Sequence, residues 1–180
     1  MSSEPSRQLI LLRHGKSAYP PGVPDHARPL ADRGLRQSAF AGEHIRTLVE
    51  HIDLVLCSTS TRTRQTLDAT GLATGSAVEY REEIYAAEAH EILQVIVEVS
   101  DSVRSLLVVG HFPGVADLAD DLAGPGSDQD ARDRVRQKFP TSAFAVLAVR
   151  GAWSDLPGTG RLVNFTVPRD HPQSIPEEKR

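Results

Sequence analysis

"LILLRHGKSA", residues 9–18, sets four apolar side chains directly before Arg13, His14, Gly15 and Lys16. A short, unbroken apolar run that stops at charged residues reads as a strand buried on both faces. The form recurs twice. "DLVLC" (53–57) is followed by Ser58 and Arg62, and "SLLVVG" (105–110) by His111. The stretches between these runs carry helical signals. "ADRGLRQSAFAGEHIRTLVE" (31–50) spaces Leu35, Ala39, Gly42, Ile45 and Val49 along one helix face, with Asp32 as its cap. "STSTRTRQTLDATGLA" (58–73) reads as a capped helix, and "HEILQVIVEVS" (90–100) aligns Ile92, Val95, Ile96 and Val99. "PGVADLADDLAG" (113–124) opens with proline and closes with glycine, as helices do. "GPGSDQDARDRVRQKFP" (124–140) is a polar connection with room for a short helix. "SAFAVLAVR" (142–150) and "RLVNFTVP" (161–168) flank a long loop and read as a hairpin.

Strands alternating with helices predict an α/β fold. The expected form is a three-layer α/β/α sandwich whose central sheet is mainly parallel, with an antiparallel hairpin at its C-terminal end. The chain has 180 residues, enough for one domain, expected over 8–168, with flexible tails at 1–7 and 169–180. Its net charge of −4 argues against a nucleic-acid binder, which needs a basic face. The single cysteine, Cys57, rules out an intrachain disulfide and a cysteine-rich zinc site. No apolar run approaches the roughly 20 residues of a membrane span, and no signal core precedes the first strand, so a cytoplasmic protein is expected.

Ligands of open parallel sheets bind beyond the carboxyl ends of the strands. That rule singles out Arg13, His14, Gly15, Arg62 and His111. Guanidiniums match phosphate oxygens and keep their charge, so two of them call for a dianionic ligand. A neutral imidazole among them can act as nucleophile, forming a phosphohistidine that splits one displacement into two easier ones. Neighbouring cations keep that imidazole unprotonated. Gly15 lets the backbone approach ring and phosphate, and His111 can bond the phosphoryl oxygens. Arginines and imidazoles supply charge that a divalent ion supplies elsewhere, so no metal and no cofactor are expected. His26, His44, His51, His90 and His171 fall in polar or loop contexts and read as surface residues.

These residues resemble the histidine phosphatase superfamily, whose signature is Arg-His-Gly after the first strand, and within it the small single-domain phosphohistidine phosphatases. "LILLRHGKSA" is similar to the nucleophile loop and "DHARPLADRG" (25–34) to the segment leading into the first helix. "LCSTSTRTRQT" (56–66), "VVGHFPG" (108–114) and "KFPTSAFAVLAV" (138–149) are similar to later motifs in the same order. Thr59 stands where the family often has proline. The resemblance implies a phosphoglycerate-mutase-like fold, with His14 as the phosphorylated nucleophile and Arg13, Arg62 and His111 binding the phosphoryl group. Related mutases and monoesterases carry a glutamate general acid. Spacing leaves Glu82 and Glu83 as candidates, with Glu83 preferred.

Those relatives insert a helical lid before the second histidine. Here 27 residues separate Glu83 from His111, so a large lid is absent and an open site is expected. An open site suits a phosphohistidine-bearing protein, with inorganic phosphate as product. The alternatives are a phosphomonoesterase of a small metabolite and a non-catalytic phosphoprotein-binding module.

Overall fold

A computed structural model describes residues 6–169. The expected tails therefore lie mostly outside the described residues, as does His171, but Arg7 is corrected: it opens the first strand, is buried and pairs with Asp101. Six strands form one sheet: β1 (Arg7–Arg13), β2 (Leu54–Ser58), β3 (Ala77–Arg81), β4 (Ser105–Gly110), β5 (Phe144–Val149) and β6 (Gly160–Thr166). Five helices connect them: α1 (Asp32–Leu48), α2 (Thr61–Thr70), α3 (Ala89–Val97), α4 (Gly114–Asp121) and α5 (Gln129–Gln137). The strand order is β3-β2-β4-β1-β5-β6. β1 pairs in parallel with β4, and β2 with both β3 and β4, while β5 is antiparallel to β1 and to β6. This is the expected mixed sheet with its C-terminal hairpin.

Strand alternation sorts the core into two layers. Leu9, Leu11, Leu106 and Val108 point into a cluster with Ile92 and Ile96 of α3 and Val115 and Leu118 of α4. Ile10, Leu12, Leu107 and Val109 point the other way, against Ala41 and Ile45 of α1 and Leu67 of α2. Both clusters are almost fully buried, which explains why the central strands read as continuous apolar runs. Between Glu82 and His111 the chain forms one 3₁₀ turn, α3 and β4, so no lid is inserted there.

Two expectations about α1 need correcting. The inward face of α1 begins with Gly34, Gln37 and Ser38, while Leu35 is exposed. Its N-cap is Ala31 without a side-chain bond, not Asp32. The reason is proximity: a Cβ on Gly34 would overlap the Lys16 carbonyl and lie 2.8 Å from the Lys16 amide nitrogen. The first turns of α1 thus carry small residues because the loop after β1 presses against them. β3 is an element the sequence reading does not assign, an edge strand with an exposed, polar pattern that offers little apolar signal.

Candidate active site

β1 and β4 end side by side, with Arg13 in register with Gly110. The His14 amide donates to the Gly110 carbonyl at 3.0 Å, and the His14 carbonyl accepts from the Ser142 amide at 3.1 Å. The parallel pairing therefore brings His14 and His111 together, and their rings sit 5.1 Å apart, centroid to centroid.

The His14 ring has a defined tautomer. Its Nδ1 lies 2.7 Å from the Gly15 carbonyl oxygen. A carbonyl only accepts, so Nδ1 carries the proton and Nε2 keeps its lone pair. For His111, Nε2 lies 2.8 Å from Ser58 Oγ, and Nδ1 lies 3.4 Å from Nη2 of Arg62. Arginine only donates, so Nδ1 of His111 is the acceptor and Nε2–H donates to Ser58. Burial pushes the His14 pKa down to about 4, with Arg62 and Arg13 acting in the same direction. Burial likewise pushes His111 down to about 3, helped by His14 and Arg62. Both rings are neutral near pH 7.

The cations come from two directions. Arg13 donates through Nη1 to the Phe139 carbonyl at 2.7 Å and lies 4.9 Å over the Phe112 ring. Its Nε is buried without a hydrogen-bond partner. Arg62, in the first turn of α2, is 5% exposed although most helix arginines face solvent. It donates to the Asp25 backbone carbonyl at 2.6 Å and to the Asp25 carboxylate at 2.9 Å. The expected set of Arg13, His14, Arg62 and His111 is thus assembled.

Gly15 has a packing reason to be glycine. A Cβ there would lie 2.6 Å from Ser38 Oγ and 2.8 Å from the Gly34 carbonyl, so contact with α1 already leaves no room for a side chain. Glu83 is corrected as well. It is exposed, and its carboxylate pairs with Arg81 at 3.0 Å, a bond that lowers its pKa. The structure gives it no contact with the two histidines. Glu82 instead accepts a hydrogen bond from Thr59, whose hydroxyl also lies 2.9 Å from His26 Nε2.

His26 is therefore no ordinary surface histidine. Its ring meets Tyr85 edge-on at 4.7 Å, and Tyr85 meets His111 edge-on at 5.5 Å. Tyr85 donates to the Asp25 carboxylate at 2.7 Å. That bond comes first among the causes, with Arg62 and Arg28 adding, that hold Asp25 down to about 2. Asp25 and Tyr85 were not singled out from sequence. Asp25 opens a 3₁₀ turn (Asp25–Ala27) in a proline-rich segment, and Tyr85 follows another (Glu82–Ile84), so neither ends an apolar run. Among the described residues, no group of three or more His, Cys, Asp or Glu is placed to hold a metal ion. No described helix is long and apolar enough to cross a membrane.

The family description of the histidine phosphatase superfamily (branch 1) matches residues 9–91. A solved structure from Nakamurella multipartitia, assigned to phosphohistidine phosphatase SixA, is 37% identical with a TM-score of 0.81, covering 91% of this chain and 96% of that one. The protein histidine phosphatase SixA complexed with tungstate is 27% identical with a TM-score of 0.70, covering 89% and 97%. An uncharacterized protein of Mycobacterium tuberculosis is 48% identical over 160 residues, 88% of this chain and all of the relative. The sandwich is of the phosphoglycerate-mutase-like kind.

Proposed function

The chain belongs to the histidine phosphatase superfamily, and we propose that it hydrolyses phosphohistidine on proteins through phosphorylated His14. The observation that carries this reading is the His14 tautomer, with Nδ1–H held by Gly15 and the Nε2 lone pair free among Arg13, Arg62 and His111. In the first step Nε2 of His14 bonds to phosphorus as the bond to the substrate nitrogen breaks. The Gly15 carbonyl stabilises the positive ring that results. In the second step water attacks phosphorus, the bond to His14 breaks, and inorganic phosphate leaves. Arg13 and Arg62 bind the transferring oxygens throughout, which is where preorganised charge is worth most.

A protein substrate is supported by the absence of an inserted lid and by the flanks of the site. Tyr19 is 67% exposed and Phe112 54%. Each aromatic ring carries a cation, Arg28 at 4.4 Å over Tyr19 and Arg13 at 4.9 Å over Phe112. Large exposed rings beside an open anion site suit contact with another macromolecule. The test is phosphate release from a phosphohistidine-bearing protein or peptide, set against release from small phosphate monoesters. A kcat/KM favouring phosphohistidine is expected. Preference for the esters replaces this reading with a metabolite phosphomonoesterase, and stoichiometric binding without turnover replaces it with a binding module.

A further inference from the structure

A carboxylate stands at the mouth of a site built for an anion. Asp25 touches the same Arg62 that faces His111, and its side chain is half exposed. For binding a phosphoryl dianion alone this is the wrong charge. Holding Arg62 does not require it, because the Asp25 backbone carbonyl already accepts from Arg62 at 2.6 Å. The carboxylate is also kept ionised, by Tyr85, Arg62 and Arg28. A carboxylate has about four acceptor positions. Tyr85 and Arg62 take two on Oδ2, and Arg28 takes one on Oδ1. One position on Oδ1 is left on a solvent-facing group.

The geometry points to Asp25 as the residue that reads the leaving group, accepting the free ring N–H of a phosphorylated imidazole and so selecting N-phosphoryl over O-phosphoryl substrates. The inference rests on the phosphohistidine reading above and assigns its specificity to one side chain. A phosphohistidine ring has a second nitrogen. When that nitrogen is protonated the ring is cationic, and a carboxylate beside it attracts where it would repel a plain phosphate ester. The transfer then balances without moving a proton. His14 Nε2 bonds to phosphorus, the substrate N–P bond breaks, and its electron pair returns to the departing ring. That ring leaves as neutral imidazole with its N–H still on Asp25. The positive charge passes to the His14 ring, whose Nδ1–H stays on Gly15. Two acceptors thus serve the transfer, a carbonyl for the receiving ring and a carboxylate for the departing one. Tyr85 and Arg28 orient the carboxylate, and His26 lies against the far side of Tyr85.

The experiment compares wild type with Asp25→Asn and Asp25→Ser, both of which retain the backbone carbonyl that holds Arg62. The probes are phosphohistidine and p-nitrophenyl phosphate, with inorganic phosphate as competitive inhibitor. A hydrogen bond to a charged group corresponds to about ten- to hundredfold. The ratio of kcat/KM for phosphohistidine to that for the aryl ester is expected to fall by that much in both variants, while inorganic phosphate binds as tightly as before or more tightly. Equal losses on both substrates with weakened phosphate binding overturn the inference, because Asp25 would then serve only to place Arg62. Misfolding in one variant, read by circular dichroism, leaves the other to decide, and misfolding in both makes Asp25 structural and also overturns it. Wild type that fails to turn over phosphohistidine at all defeats the earlier reading instead.

Discussion

The Thr66 hydroxyl accepts the Gly15 amide proton at 2.9 Å and donates to the Arg62 carbonyl at 2.7 Å. One side chain of α2 thus ties the loop after β1 to the turn that carries Arg62. The nucleophile and the phosphoryl-binding arginine share a strut although 47 residues separate them in sequence. His14 directly follows β1 and Arg62 sits in the first turn of α2, so both are held by regular backbone, which is the preorganisation that charge stabilisation requires.

His14→Ala is therefore expected to abolish turnover and covalent labelling by phosphate while leaving the fold intact. The His14 ring is partly exposed at the strand end and fills no core position, so its loss opens no large cavity. Phosphate release and acid-quenched labelling measure the first outcome, and circular dichroism the second. Release at the wild-type rate would remove His14 from the mechanism.

Arg62→Ala removes a donor to developing charge, a loss that typically costs about 10²–10³ in kcat. A fall in that range or beyond is expected. Activity within about twofold of wild type would place Arg62 outside the site. The same change strips two bonds from Asp25, so urea unfolding beside the assay separates lost catalysis from lost structure.

Much of this site was legible because its chief residues follow apolar runs. Arg13, His14 and His111 are the first residues past a strand end or its last, and the sheet rule finds them without knowledge of register. Arg62 was a weaker case under the same rule, since it lies four residues past the end of β2 and an arginine in a helix reads as solvated until Asp25 is seen to hold it. Asp25, His26 and Tyr85 were hidden for a physical reason. They reach the site from two short 3₁₀ turns, Asp25 and His26 on one and Tyr85 just after the other, whose placement depends on tertiary contacts rather than on periodicity. The α1 face misled because hydrophobicity marks buried positions only where there is room for a side chain. Gly34 and Ser38 are buried against the loop of His14 and Gly15, where a larger residue would collide.

The low histidine pKa values give a stability prediction with a definite sign. An imidazole in the unfolded chain titrates near 6.5. In the fold His14 titrates at about 4 and His111 at about 3, both chiefly because of burial. Below about pH 6.5 the unfolded chain therefore binds more protons, so stability falls as the pH drops toward 4 and is level above 6.5 as far as these two groups are concerned. Urea midpoints at pH 7.5, 6 and 5 measure the slope. His111→Asn is expected to flatten it, and an unchanged slope would show that His111 is not kept neutral by the fold. Activity should hold to lower pH than a free imidazole nucleophile would permit, down to the His14 value of about 4.

The two glutamates test the substrate class by chemistry that does not involve Asp25. An alkyl phosphate leaves as an alkoxide, whose conjugate acid is about as weak as water, with a pKa of roughly 15.7. Such a group needs a positioned general acid, worth typically about 10²–10⁴-fold. A phosphohistidine leaves as imidazole, whose conjugate acid has a pKa of about 6.5, so the demand on an enzyme acid is small. Glu83 is bonded to Arg81 and exposed, so Glu83→Gln alone is expected to leave kcat/KM on either substrate unchanged. Glu82 stands nearer, through Thr59 and His26. The double change to glutamine is expected to spare phosphohistidine hydrolysis and to depress residual hydrolysis of alkyl phosphates. Measuring kcat/KM for both substrates in wild type and both variants decides the matter. A collapse of phosphohistidine turnover by orders of magnitude in a folded double variant would mean an obligatory acid. The carboxylate beside Thr59 would then have to supply it, and a monoester would become the better match to this site.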